Sequence, residues 1–202
     1  MKLIRFRHGP TLRWGLLDDS GYEVRHVLGA LPAWAPLIAN GAGEGVLPCS
    51  GERSPLGAVE VVAPVEPSAK VYSEIDGLDH AGFSVSDAPR EVAIAAGDRV
   101  AVVVIGAPLA GRSNPLRSVL GYGVASRTWR GEAGPGRTLI FAPSILGRAR
   151  FGDASPDLSQ MWEDSFGPWP FPFPDLIGLA GRLSSLNART PLQPGDMVLT
   201  PI

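Results

Sequence analysis

Apolar and polar residues alternate along the first segments of the chain. From Lys2 to Arg7 charged and apolar residues alternate, a period of two that is typical of a half-buried β-strand. We interpret Thr11 to Leu17 and Tyr22 to Val27 as two more strands. The sequence Asp18-Asp19-Ser20-Gly21 between them is rich in residues that favour turns. The pattern predicts a small antiparallel β unit at the N-terminus.

The regular pattern is lost after this unit. The segment from Ala30 to Gly57 has little periodicity, and Leu31 to Ala39 is a candidate short helix within it. Val59 to Val65 is a candidate strand, and Ala63-Pro64-Val65-Glu66-Pro67 reads as a link that closes the first unit. We therefore predict a small N-terminal β domain with its link over residues 1–67 and a second domain over 68–202.

The second unit is built around one strongly apolar segment. Arg99 to Ile105 is an unbroken apolar run after its first residue, which predicts a strand buried on both faces. The helical spacing of apolar residues from Asp175 to Leu186 predicts a helix. Further candidates are the strands Val92–Ile94, Leu120–Ala125, Thr138–Phe141 and Met197–Thr200, a short helix in Asn114–Leu120 and a turn at Gln193–Asp196. The expected fold class is mainly β with a few short helices (α+β).

Composition and charge exclude several function classes. The 202 residues carry 18 Lys and Arg against 20 Asp and Glu, so no strong positive field attracts nucleic acid or an anionic membrane. The only cysteine, Cys49, permits neither an intramolecular disulfide nor a cysteine-based zinc site. The N-terminus lacks the apolar core of a signal peptide, and no apolar run is long enough to span a bilayer. We expect a cytoplasmic protein without nucleic-acid or membrane partners.

Four motifs in order resemble the fumarylacetoacetate hydrolase family. They are the opening Met1–Phe6, the strand Val100–Gly106, the Leu120–Val124 segment with its Gly-Tyr-Gly, and Leu192–Pro201 with its Gln-Pro-Gly-Asp. The resemblance implies a small N-terminal β domain followed by a mixed β-sandwich roll, commonly in a dimer. It also implies activity on acids that carry a 1,3-dicarbonyl or enol group, with magnesium, manganese or calcium as the family metal.

The metal-binding pattern of that family is altered in this chain. The family has a Glu-x-Glu pair before its Val-Val-Ile-Gly strand, and the matching positions are Asp98 and Val100. The third family ligand is an aspartate, and its matching position is Arg127. Hard cations require oxygen ligands, which valine and arginine do not supply. We therefore expect no metal in this site and no other cofactor.

The resemblance also indicates candidates for proton transfer. His80 lies in Gly77-Leu78-Asp79-His80-Ala81, a shortened form of the family segment that contains the water-activating histidine. Asp79 is a candidate substrate-binding residue and a possible partner for this imidazole, and Asp98 retains a carboxylate that can act as a general base. The alternatives are a surface histidine for His80 and a turn residue for Asp98.

Several residues are candidates for contact with a substrate anion. Arg127 is the first, because a guanidinium could supply the positive charge that the family metal supplies. The alternative is an exposed basic strand end. The other candidate substrate-binding residues are Trp129, Arg130, Arg137, Tyr122 and Thr200.

Alternating prolines and aromatic residues mark the segment from Met161 to Pro174. Proline donates no hydrogen bond to a sheet, so this tract cannot be a central strand. We rank a subunit interface or a core contact above a ligand pocket, and we expect a homodimer. His8 and His26, on or beside the N-terminal strands, are interpreted as structural, and the sequence shows no paired-histidine zinc motif.

Two functional hypotheses follow. The first is a metal-independent enzyme that acts on a carbonyl- or enol-rich small molecule, such as a biosynthetic intermediate, by isomerisation, decarboxylation, cyclisation or carbon–carbon bond cleavage. In it His80, Asp98 and Arg127 are catalytic. The alternative is a non-catalytic relative that binds a partner subunit.

Overall fold

The computed structural model describes residues 1–41, 44–66, 68–73, 83–85, 98–129, 137–142, 144–147 and 178–201. Twelve strands form one mixed sheet: β1 Lys2–His8, β2 Thr11–Leu17, β3 Glu23–Val27, β4 Cys49–Pro55, β5 Glu60–Val62, β6 Val71–Ser73, β7 Phe83–Val85, β8 Asp98–Ile105, β9 Val119–Trp129, β10 Arg137–Phe141, β11 Ser144–Gly147 and β12 Met197–Pro201. Two α-helices, α1 Leu31–Ala39 and α2 Leu179–Arg189, complete this part of the chain with short 3₁₀ turns at Glu44–Val46, Leu56–Ala58 and Pro115–Ser118. The predicted mainly β fold class is confirmed.

The strand order explains how distant segments meet. Along the sheet the order is β4-β3-β2-β1-β11-β9-β8-β12-β6, while β5 pairs with β1 and β10 bridges β9 and β7. Most pairs are antiparallel, and β10–β7 and β12–β6 are parallel. Residues of the first and second predicted units therefore lie in one continuous sheet, joined where β1 pairs with β11.

The N-terminal strands follow the predicted pattern closely. The turn between β2 and β3 contains Gly21 at a φ of 76°, and the Gly21 amide donates to the Asp18 carbonyl at 3.0 Å. The Asp18 carboxylate accepts from the backbone amides of Tyr22 and Glu23, both at 3.0 Å. Asp18 thus caps the turn whose residue types predicted it.

Side chains of the first strands anchor the link that follows β5. The buried guanidinium of Arg5 donates to the Val65 carbonyl, and the indole Nε1 of Trp14 donates to the Glu66 carboxylate. A buried cation needs such a partner, because burial removes its water. The two contacts hold residues 63–66 against β1 and β2.

Strand β8 lies at the centre of the second part and is buried on both faces, as predicted. Val100, Val102 and Val104 belong to one apolar cluster, which also contains Trp34 of α1 and other residues of the N-terminal part. Ala101, Val103 and Ile105 belong to a second cluster on the other face, together with Leu179, Leu183 and Leu186 of α2. Each cluster contains alternate residues of β8, as expected for a strand between two layers.

Several predicted elements differ in their ends, and others were not predicted. β9 extends to Trp129, beyond the predicted Ala125, and the predicted strand Val59–Val65 is reduced to Glu60–Val62. β4, β6, β7 and β11 were not predicted. The predicted strand Val92–Ile94, residues 175–177 of the predicted helix and the aromatic tract 161–174 lie outside the described residues. No helix in the described part of the chain is long and apolar enough to cross a membrane.

Candidate functional site

Two predicted site residues meet at one end of the central sheet. Asp98 is the first residue of β8, and it is directly opposite Arg127 on β9 in the antiparallel register. Directly opposite residues of an antiparallel pair share a face of the sheet. The backbone therefore places an acidic and a basic residue at adjacent positions on the face that also contains Val100.

Val100 decides whether the family's metal-binding arrangement fits this chain. Its side chain is fully buried, at 0% exposure, in the same apolar cluster as Val102, Ala125 and Leu199. A valine in an apolar cluster offers no donor atom, and the position matching the third ligand is an arginine. The residues present do not fit a divalent ion held by three carboxylates.

Tyr122 and Thr200 lie on the opposite face of the sheet from this pair. Tyr122 is opposite Val103, and it packs in the cluster that contains α2. Thr200 is opposite Ala101, whose side chain belongs to that same cluster. The Thr200 hydroxyl is fully buried and has no hydrogen-bond partner among the described residues. The structure therefore does not bring Tyr122 and Thr200 together with Asp98 and Arg127.

The remaining predicted residues are only partly covered by the structure. Arg137 begins β10 and is opposite Trp129 on β9, with Leu139 opposite Arg127 two positions further along. Strand pairing thus places Arg137 and Trp129 close to Arg127 on one face. His80, Asp79 and Arg130 lie outside the described residues, and their assigned roles stay predictions.

A cleft of about 410 Å³ opens in the N-terminal part of the molecule. It is lined by residues of β1, β2, the segment before α1 and the link, among them Arg5, Arg13, Trp14 and Glu66. The volume lies within the range of small-molecule pockets. Within the described part of the chain, the residues that line it include none of the predicted site residues.

A cluster of ionisable side chains also lies across the N-terminal strands β1 to β4. His26 on β3 is fully buried, and its Nδ1 lies 3.2 Å from Glu52 Oε2 and 3.2 Å from Arg13 Nη1. Arg13 Nη1 lies 3.1 Å from the same Glu52 oxygen, and His8 Nδ1 lies 3.7 Å from Glu52 Oε1. The rings of His8 and His26 meet edge to face with centroids 5.4 Å apart.

The charges around His26 come from a donor and an acceptor on the same ring nitrogen. Arginine can only donate and a carboxylate can only accept, so Arg13 donates to Glu52 Oε2 at 3.1 Å, and both face His26 Nδ1, while Ser54 Oγ lies 2.9 Å from Nε2. Burial lowers the pKa of His26 below its usual 6.5, although the nearby Glu52 opposes the shift. His26 is thus a neutral imidazole at neutral pH.

No local signal in the sequence indicates this cluster. The sequence pattern predicts a structural role for His8 and His26 and does not single out Glu52. Its members come from β1, β2, β3 and β4, so only the strand order brings them together. The one indication of the cluster was His26, a histidine at a strand position that faces an apolar layer.

Comparison with solved structures identifies the fold. The chain superposes over its whole length on a 5-carboxymethyl-2-hydroxymuconate delta-isomerase from Mycobacterium smegmatis, with a TM-score of 0.59, 16% identity and 91% of that chain covered. It matches a maleylpyruvate hydrolase from Sphingobium sp. SYK-6, solved with manganese(II) and pyruvate, with a TM-score of 0.58, 17% identity and coverage of 100% and 91%. A fumarylacetoacetate hydrolase from Exiguobacterium antarcticum gives a TM-score of 0.55 at 18% identity, with coverage of 100% and 86%.

The chain has the fold of the fumarylacetoacetate hydrolases. The resemblance inferred from the four sequence motifs is confirmed at the level of fold. No family model and no curated protein sequence matches the chain. At this identity the likeness carries the fold, and the chemistry has to be argued from this chain's own residues.

Proposed function

We propose that this protein is a metal-independent enzyme with the fumarylacetoacetate hydrolase fold. Its substrate would be a small molecule with a dicarbonyl, enol or carboxylate group. The observation that carries the proposal is the pairing of Asp98 with Arg127 beside a fully buried Val100. Asp98 and Arg127 supply charge at the end of the sheet, and Val100 stands at a ligand position of the family without offering a donor atom.

The proposed chemistry uses one shared intermediate, an enolate. A carboxylate at Asp98 takes a proton from the carbon next to a carbonyl group, and negative charge develops on the carbonyl oxygen. The guanidinium of Arg127 would stabilise that oxygen with its positive charge. Isomerisation and cyclisation reach this enolate by that proton transfer, whereas decarboxylation and carbon–carbon cleavage reach it when the bond to the departing carbon breaks and its electron pair moves onto the carbonyl oxygen.

The names of the structural neighbours support this substrate class. Carboxymethyl-hydroxymuconate, maleylpyruvate and fumarylacetoacetate are all small carboxylic acids with a carbonyl or enol oxygen. Strand pairing adds Arg137 and Trp129 as neighbours of Arg127. They would bind a second carboxylate and stack on an unsaturated chain, and His80 stays a predicted proton carrier. The homodimer also stays a prediction.

The test is turnover of these three acids by protein treated with a chelator. We expect loss of enol absorbance for at least one acid, unchanged by EDTA and not stimulated by added manganese. Activity that appears only with the metal would contradict the proposal. Absence of turnover across the panel would favour the non-catalytic alternative.

An Arg127→Leu variant tests the role of the cation. Removing one charge-stabilising group should lower kcat/KM by about 10²-fold or more. The matched control is Arg53→Leu, which removes an exposed arginine paired with Glu23 on β3. Full activity in Arg127→Leu, or an equal loss in Arg53→Leu, would refute the role.

A further inference from the structure

We propose that His8 Nδ1, His26 Nδ1 and the Glu52 carboxylate bind one divalent transition-metal ion of the zinc type. The three donor atoms lie within 4.8 Å of one another. Two imidazole nitrogens and one carboxylate oxygen form a common zinc ligand set. The site lies across strands β1, β3 and β4 of the N-terminal part, and it does not depend on the function proposed above.

Two donor spacings, one to each Glu52 oxygen, are already close to those around a coordinated metal. Ligands at about 2.0–2.2 Å from a tetrahedral ion lie roughly 3.4 Å from one another. His26 Nδ1 and Glu52 Oε2 are 3.2 Å apart, and His8 Nδ1 is 3.7 Å from Glu52 Oε1. The His8 and Glu52 side chains are 43% and 45% exposed, so small rotations can close the remaining distance.

The buried histidine has a suitable partner for its other ring nitrogen. Ser54 Oγ lies 2.9 Å from His26 Nε2, so a metal ion at Nδ1 would leave the ring proton on Nε2, where Ser54 can accept it. Histidines that bind metals commonly donate their other ring N–H to a fixed acceptor, which sets the tautomer and the ring orientation. Ser54 is itself buried, so this contact is shielded from water.

The backbone of the sheet also shapes the site. β3 pairs with β4 at Arg25–Arg53 and again at Val27–Cys49. Between these two pairs β3 contains one residue, His26, whereas β4 contains three, so the register is irregular here. This irregularity brings Glu52 towards His26, and bulges of this kind often redirect a side chain at functional sites.

A glycine allows the two histidines to meet across the intervening strand. Gly15 on β2 is directly opposite His26, and a Cβ atom there would lie 2.3 Å from Val24 and 2.7 Å from Phe6. Without a side chain at this position, Phe6 packs on the His26 ring with centroids 4.9 Å apart. His8, two residues further along β1, then reaches the same ring.

Arg13 supplies the positive charge within the cluster in the metal-free protein. Its Nη1 atom lies 3.2 Å from His26 Nδ1 and 3.1 Å from Glu52 Oε2, close to where the ion would bind. The side chain is 35% exposed and can turn towards solvent. Metal binding should therefore displace Arg13, and removal of Arg13 should strengthen binding.

The test is zinc binding by untagged, EDTA-treated protein in competition with a chromogenic chelator. We expect one zinc per chain, and cobalt(II) in its place should give the strong visible absorption of a four-coordinate site. His8→Gln and Glu52→Gln should each weaken binding by at least about tenfold, the loss already typical of outer contacts to a metal ligand. Both residues are exposed, so the variants test binding without disrupting the core.

Two further variants sharpen the result. Glu60→Gln removes an exposed carboxylate on β5 that pairs with Arg7, and zinc affinity should not change. Arg13→Gln should raise the affinity. No stoichiometric zinc binding at micromolar protein would overturn the proposal, and so would binding that survives in the His8→Gln/Glu52→Gln double variant. Weaker binding by Arg13→Gln would contradict the displacement.

Discussion

Gly15 lies in the middle of β2, opposite Ile4 on β1 and His26 on β3. A methyl group there would overlap Val24 and Phe6, at 2.3 and 2.7 Å. Val24 and Phe6 are both fully buried, so neither can move aside freely. Gly15 is thus required by the close packing of its neighbours, without any special backbone angle.

Replacing Gly15 with alanine should lower the free energy of unfolding by about 1–3 kcal/mol, the usual cost of overpacking a core. Gly57→Ala is the matched control, because nothing lies within 4 Å of a Cβ at that exposed position. Urea unfolding of both variants checks this, and the control should change by less than about 0.5 kcal/mol. Equal stability of the two variants would show that the sheet yields at Gly15.

Asp18 gives an acid-dependent contribution to the β2–β3 turn. Hydrogen bonds from the Ser20 hydroxyl and from backbone amides hold the pKa of Asp18 below its usual 3.8. A lowered folded-state pKa means that the stabilisation is present above 3.8 and is lost as the pH falls below it. Asp18→Asn should therefore destabilise the protein at neutral pH and have less effect near pH ~3. Unfolding midpoints at both pH values test this, with the neighbouring exposed Asp19→Asn as control, and a constant difference would contradict it.

The candidate sites show what single residues reveal in a sequence. The positions of Asp98 and Arg127 were predicted because they match an ordered motif on neighbouring strands, and β8 and β9 do pair them. The same motif also grouped Tyr122 and Thr200 with that site. Strand alternation places them on the other face, which a motif without a register does not reveal.

At the level of elements, the sequence pattern predicted the strands and helices whose bounds depend on local signals. β2 and α1 have the predicted bounds, because alternation in one and a Pro-started apolar segment in the other are local signals. β4, with the sequence CSGERSP, shows no alternation of apolar residues. It becomes a strand only because β3 pairs with it, and its irregular register follows from that pairing.

The turn before β12 depends on one buried carboxylate. Asp196 is 3% exposed, and it accepts from the Lys70 amide at 3.0 Å and the Gln193 amide at 2.8 Å. One contact closes the turn around Gly195, and the other attaches the start of β6. The Gln-Pro-Gly-Asp motif therefore has a structural role in this chain.

Asp196→Ala should lower the free energy of unfolding by roughly 1–3 kcal/mol for each amide left without a partner. The exposed Asp19→Ala variant is the control and should stay within about 0.5 kcal/mol of the parent protein. Chemical unfolding measures both. If Asp196→Ala were as stable as the control, the turn would have to be held by other contacts.

At the level of the whole molecule, the division into residues 1–67 and 68–202 stays a prediction, but the packing crosses it. β1 pairs with β2 and β5 on one side of the boundary and with β11 on the other. One buried cluster contains Leu3 and Trp34 together with Val102 and Leu199. Hydropathy along the chain could locate the two segments, and it carried no information on whether they share a sheet.

We therefore expect the described sheet to unfold in one cooperative transition. Shared strands and a shared core couple the two parts, so neither can unfold while the other keeps its contacts. In calorimetry the measured and van't Hoff enthalpies should agree. Gly121→Ala tests the coupling, because a Cβ there would lie 2.3 Å from the Leu146 carbonyl oxygen and would separate β9 from β11, the strand that pairs with β1. The single transition should shift to lower temperature as a whole, whereas Gly57→Ala should leave it in place.

Two resolved transitions in the parent protein, or a Gly121→Ala effect confined to one of them, would show that the N-terminal strands fold as an independent domain despite the continuous sheet.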